Sequence, residues 1–116
     1  MPMMLRRNRS FFELKDARLL RSILNEVLNG FVVDDFEAAI GIKRAELQDL
    51  LTQLNRLQDD VPIELDLNRT TAFRNALRIT LRELGVEEFH TRTGYDLQEG
   101  MRVLQELDDA IDLSLT

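Results

Sequence analysis

Apolar and polar positions along this chain follow one pattern twice. In the second half, Ile63-Glu64-Leu65-Asp66-Leu67 alternates apolar with acidic side chains, the period of two that marks a half-buried strand. Pro62 stands just before it, where a missing N–H is tolerated. In the first half, Ser10 to Leu14 puts Phe12 and Leu14 on the corresponding face. A long helix is predicted after each strand. Ala17, Leu20, Leu24, Leu28 and Phe31 recur three or four apart, and Thr70, Phe73, Leu77, Leu81 and Leu84 take the same slots further on. Gly30 and Gly85 are the expected helix stops. A short helix follows, with Asp34 as its cap and Glu37 three residues later in capping-box spacing. Gly41 and Gly94 mark the next turn. The last helix carries Leu47, Leu50, Leu51, Leu54 and Leu57, and Asp96 with Glu99 repeats the capping-box spacing in the second half.

Sliding Glu13–Leu57 onto Asp66–Ala110, an offset of 53, gives ten identities in 45 ungapped pairs. Five are Leu on Leu: Leu14/Leu67, Leu24/Leu77, Leu28/Leu81, Leu51/Leu104 and Leu54/Leu107. The other five involve more varied residue types: Arg21/Arg74, Val33/Val86, Phe36/Phe89, Gly41/Gly94 and Glu46/Glu99. Charge repeats with the same period. Residues 1–30 carry six basic and three acidic side chains and residues 31–68 three and nine; residues 69–84 carry four and one, and residues 85–116 two and eight. Self-similarity of this kind precedes any decision on fold. The expected fold is α+β and mostly helical: an internal duplication of a strand–helix–helix unit, with copies at 10–57 and 63–110 related by a pseudo-two-fold axis. The two short strands form a ribbon. Neither copy has enough apolar surface for its own core, so residues 1–116 form one domain, with 1–8 as a flexible tail.

Composition narrows the chemistry. The chain has no cysteine, which removes disulfides, thiol nucleophiles and Cys-based zinc sites. Its formal net charge of −6 opposes general affinity for phosphate backbones, so nucleic acid is not the expected partner. In the opening residues, Met3, Met4 and Leu5 precede Arg6 and Arg7, the reverse of a secretory signal, and no apolar run is long enough to span a membrane. A cytoplasmic location without membrane contact is the expectation.

Several clusters invite a functional reading. Segment 36–51 resembles a helix-turn-helix DNA-binding motif, with Gly41 in the turn and Ile42, Leu47, Leu50 and Leu51 at apolar positions. The resemblance implies that Lys43 and Arg44 contact DNA. It departs from that family where the two helices meet: Glu37, and His90 in the second copy, stand in place of a small residue. The acidic Glu46 and Asp49 also follow the basic pair. The arginines of the long helices, Arg18 and Arg21 in copy one and Arg74, Arg78 and Arg82 in copy two (with Arg69 beside them), are candidates for an interaction surface. Planar forks also suit carboxylates, so the acidic last helices of the same molecule or a second subunit compete for them. Arg21 and Arg74 border the apolar stripe at equivalent positions and are the best candidates for a buried structural ion pair.

Asp34, Asp35 and Glu37, with Glu87, Glu88 and His90, offer oxygen ligands and one imidazole. Capping and the helix dipole explain the same residues, and no ligand spacing for a metal is present. His90, the sole histidine, with Glu87 or Glu88 to orient it, is the one place where acid–base catalysis is conceivable. No nucleophile motif or phosphate-cradling glycine loop occurs, so neither an enzyme nor a cofactor is expected. Residues Asn25-Glu26-Val27-Leu28-Asn29-Gly30, then Phe36, Glu37 and Gly41, resemble small bacterial proteins of unknown function that share an NEVxNG…FExxxG stretch. The second copy lacks this stretch, which implies that copy one faces a partner or ligand that copy two does not. The expected role is a non-catalytic protein-interaction or regulatory domain that self-associates as a homodimer through its strand ribbon; the alternative is a DNA-binding regulator using residues 36–51.

Overall fold

Leu20, Ile23, Leu24 and Val27 recur three or four apart and are completely removed from solvent, as are Ala76 and Leu77 on the second long helix. In the computed structural model the described residues are 12–14, 17–58 and 62–115. In chain order they form strand β1 (Phe12–Leu14), helix α1 (Arg18–Asn25), a π-helical turn (Glu26–Gly30), α2 (Phe36–Ile40) and α3 (Arg44–Leu54). Strand β2 (Ile63–Leu65), α4 (Leu67–Glu83), α5 (Val86–Thr93) and α6 (Leu97–Leu115) follow. The described residues are thus mostly helical, with one two-stranded antiparallel sheet. Its register pairs Phe12 with Leu65, Glu13 with Glu64 and Leu14 with Ile63. Leu14 and Leu65 turn inward to the core, while the two glutamates lie exposed and opposite each other.

The long helices α1 and α4 pack against each other at the centre. Helix α3 lies on α1 and α6 on α4, whereas the short helices cross over: α5 packs on α1 and α2 on α4. Ala17, Leu19, Leu20, Ile23, Leu24, Glu26 and Val27 are buried in the first half, and Thr70, Ala72, Phe73, Ala76, Leu77, Ile79 and Thr80, each 53 positions later, are buried in the second. Gly41 and Gly94 both turn the chain with positive φ, at 105° and 79°. Truncating a core side chain such as Phe73 is expected to cost about 3–5 kcal/mol.

The two aromatic rings at equivalent places are treated differently. Phe89 is fully buried because Gly100 lies beneath it; a Cβ there would come within 2.7 Å of the ring. In the first half Leu47 occupies that place, and Phe36 stays half-buried with the Arg44 guanidinium 4.5 Å from its ring centroid.

Several expected boundaries move. Strand β2 ends at Leu65, since the Asp66 side chain accepts a bond from the Arg69 N–H at 2.9 Å and caps α4, making Leu67 its first residue. A short carboxylate beside free helix N–H groups competes with strand pairing. As a result the strands correspond at an offset of 51 (Leu14 with Leu65), while the helices correspond at 53. Leu14 and Leu67 therefore do not play the same part. The cap of α2 is Asp35 rather than Asp34; it adopts φ 49° and ψ 62° and makes no side-chain cap bond. A capping box needs an extended cap residue, so Glu37 has no cap N–H to reach and remains exposed. At Asp96 the box is half formed, its N–H donating to Glu99 Oε1 at 3.3 Å. The α4 stop is Leu84, in extended conformation, and Gly85 instead precedes α5. Phe31 is extended beyond the π-turn, and Leu57 lies past the end of α3, 40% exposed. The tail at 1–8, with Ser10 and Phe11 of the first expected strand, lies outside the described residues.

Candidate functional site

Arg18, Arg21, Ser22, Asn25 and Glu26 follow the three–one–three–one spacing that places side chains in one stripe along a helix. This stripe floors two adjoining grooves. One, about 470 Å³, lies between Arg18, Arg21 and Ser22 on α1 and Thr93, Gly94, Tyr95 and Glu99 at the α5–α6 turn. The other, about 250 Å³, shares Arg21 and Ser22 and continues past Asn25 and Glu26 toward Leu51, Asn55 and Arg92. Together they form a polar trough along one side of α1.

The π-turn sets the far end of the trough. Glu26 is only 7% exposed, and its Oε1 accepts from the Arg92 guanidinium at 2.8 Å. That hydrogen bond, then the Glu26 charge and that of Glu88, 3.7 Å away, hold the Arg92 guanidinium above its ordinary range. Arg92 stays cationic at every working pH. The Glu26 carboxylate folds back over Gly30, where any Cβ would overlap it. Asn29 donates to Asn25 Oδ1 at 3.1 Å across the same turn. At the near end Thr93 donates to the Phe89 carbonyl at 2.7 Å and accepts from the Tyr95 N–H at 3.1 Å, shaping the turn that presents Tyr95 and Glu99. Arg21 donates to the Leu54 and Leu57 carbonyls at 3.1 and 3.4 Å, satisfying the end of α3.

At the junction of α4 with α2, which uses the positions 53 residues away, a side chain spans to the turn. Asn75, at the place of Ser22, donates to the Ile40 carbonyl at 2.8 Å, and Arg74 Nε donates to the Asn75 side-chain oxygen at 2.9 Å. Ile79 and Ala39 stand where Glu26 and Arg92 stand in the open junction. One side chain reaches the turn in one junction, and a hydroxymethyl falls short of it in the other.

The sequence-derived candidates separate accordingly. Arg18 and Arg21 reach the trough. Arg74 and Arg78 instead meet Asp108 on α6 at 3.0 and 3.4 Å, and Arg82 lies 3.7 Å from Glu83. Arg21 and Arg74 are both half-buried; Arg74 meets the Asp108 carboxylate, and Arg21 reaches main-chain carbonyls at the end of α3. Helices α2 and α3 follow one another across Gly41, and α2 is only five residues long. Arg44 donates to the Leu28 carbonyl at 2.8 Å and stacks on Phe36, while Lys43 precedes α3 exposed. His90 is exposed in a shallow depression of about 420 Å³ with Val86, Glu87, Thr91 and Asp96, away from the trough. Among the described residues no three His, Asp or Glu side chains converge as a metal site. Nor is any described helix long and apolar enough to cross a membrane.

Sequence reading missed Ser22, Arg92, Tyr95 and Asn75. A signal existed for Glu26: a charged residue stands inside a buried helical stripe, 53 positions before the apolar Ile79. No known family model matches the chain, and neither does any curated protein or solved structure.

Proposed function

We propose that the chain is a tandem duplication with pseudo-two-fold symmetry, and that it is a non-catalytic interaction module docking a segment of a partner protein in the trough on α1. The matched burial of the long helices and the reciprocal crossing of the short ones support the duplication. The observation that carries the docking role is the difference between two equivalent junctions: Asn75 closes one, and Ser22 leaves the other open. A duplicated fold without a binding task has no need of that asymmetry, and the NEVxNG stretch lies along the open side.

The polar groups at the trough are tied to structural partners. Glu26 bonds Arg92 and Thr93 bonds a main-chain carbonyl, an arrangement suited to recognition rather than proton transfer. A groove this open and polar also differs from the concave, mostly apolar pockets that enclose small molecules. Self-association as a homodimer through the strand ribbon is part of the proposal, since two strands alone are marginal. The DNA-binding alternative retains Lys43 as its cation least engaged by the fold, and its signature is affinity that falls steeply with salt.

Ser22→Asn tests the docking reading. The longer side chain should bond the Thr93 carbonyl as Asn75 bonds that of Ile40, closing the trough while the thermal melt stays at or above wild type. Proteins that co-purify with the native chain should then be lost. Their retention by a folded Ser22→Asn protein would overturn the reading.

A further inference from the structure

We propose that the outer edge of β2 takes up an extended segment of a partner protein with the pattern apolar–basic–apolar, which adds a third strand to the sheet. Strand β1 pairs with β2 on one side, and among the described residues no strand lies on the other. The main-chain groups along such an edge are a template for a further strand. Beside this edge Ile63, Glu64 and Leu65 share a groove of about 310 Å³ with Leu50 and Leu54 of α3 and Leu57 beyond its end. The groove has no lining residue in common with the trough, so the inference goes beyond the docking reading.

Side chains opposite one another on neighbouring strands lie on the same face of a sheet. Glu64 lies on the exposed face opposite Glu13, and like charges so placed repel. Neither carboxylate has an ion pair or side-chain hydrogen bond among the described residues, and Arg69, which lines the groove, is bound to Asp66 at 2.7 Å. A lysine or arginine opposite Glu64 on a third strand supplies the missing counter-charge. Its two neighbours turn to the other face, over the half-buried Ile63 and over Leu57, which is 40% exposed, and apolar side chains fit there. The chain's own strands, Phe12-Glu13-Leu14 and Ile63-Glu64-Leu65, have the apolar pattern but the wrong central charge. A second copy on this edge would line up further glutamates. A sheet of two strands has two edges, and a dimer formed through β1 leaves this one to the partner.

Fluorescence anisotropy with the full chain and labelled peptides tests this, each peptide having Gly-Ser flanks and a Val-Lys-Val, Val-Glu-Val or Lys-Val-Lys core. Val-Lys-Val should bind about tenfold more tightly than Val-Glu-Val, the effect of exchanging an attractive cross-strand pair for a repulsive one. It should also bind more tightly than Lys-Val-Lys, which carries more positive charge but turns it toward the groove. Methylating the main-chain nitrogens of the Val-Lys-Val core should abolish binding, because strand addition uses them. Glu64→Lys should move the preference to Val-Glu-Val, and Ser22→Asn should bind Val-Lys-Val as the wild type does; thermal melts verify that each variant is folded. No binding of any peptide at millimolar concentration, binding of the methylated peptide, tightest binding of Lys-Val-Lys, or a preference unmoved by Glu64→Lys would overturn the inference. Equal affinities or a wild-type preference for Val-Glu-Val would overturn it too, the latter assigning the edge to a second copy. Loss of binding by a folded Ser22→Asn protein would place the peptide in the trough and overturn it as well.

Discussion

Gly30 owes its identity to a carboxylate rather than to backbone conformation: the space a Cβ would take is filled by Glu26, which Arg92 holds in place. Gly30→Ala must displace that buried group and is expected to lower stability by about 1–3 kcal/mol, as overpacking does. Gly85→Ala has open space around the added carbon and should stay within about 0.5 kcal/mol of wild type. Urea denaturation of both variants checks the contrast, and equal losses would refute the assignment. Glu26 was visible in the sequence as a charged residue at a helical core position. Its partner was not visible, since Arg92 is 66 residues away and nothing in local spacing connects them.

At the scale of elements, the long helices were legible because amphipathic periodicity reports directly on burial. Helix ends were less so. Whether Asp34 or Asp35 caps α2, and whether Asp66 extends a strand or starts a helix, depends on backbone angles that residue type alone does not decide. The arginines illustrate the same limit. Their abundance on the long helices was plain, but that Arg18 and Arg21 line the trough while Arg74 and Arg78 meet Asp108 depends on which distant segment packs beside each. Asn75→Ala should cost about 1–2 kcal/mol by stranding the Ile40 carbonyl. Asp108→Ala should cost only about 0.2–1 kcal/mol, because its ion pairs with Arg74 and Arg78 are partly exposed and screened. Thermal melts of the two variants should rank in that order; the reverse order would show that the ion pairs, not the half-buried amide, hold these helices together.

For the molecule as a whole, the crossing of α5 onto α1 and α2 onto α4 means that each half completes the core of the other. Separate peptides covering 1–58 and 59–116 should be poorly helical by circular dichroism and regain helicity when mixed in equal amounts. Cooperative unfolding of either peptide alone would contradict this. The proposed ribbon dimer has its own signature. Glu13 and Glu64 face each other on the exposed side of the sheet, and a second ribbon adds two more like charges, so dimerisation should strengthen as salt screens them. Sedimentation at low and high ionic strength would show it; a monomer throughout the micromolar range at both would dispose of the dimer.

Periodicity and composition by themselves determined the helical character, the two-strand ribbon and the buried leucines, because burial leaves a local imprint on residue order. Only the tertiary structure decided that Ser22 faces an open turn while Asn75 fills a closed one, that Glu26 meets Arg92, and that the strands slip by two residues against the helices. Those facts depend on contacts between segments far apart in the chain, where a difference of one or two side-chain atoms determines whether two surfaces touch.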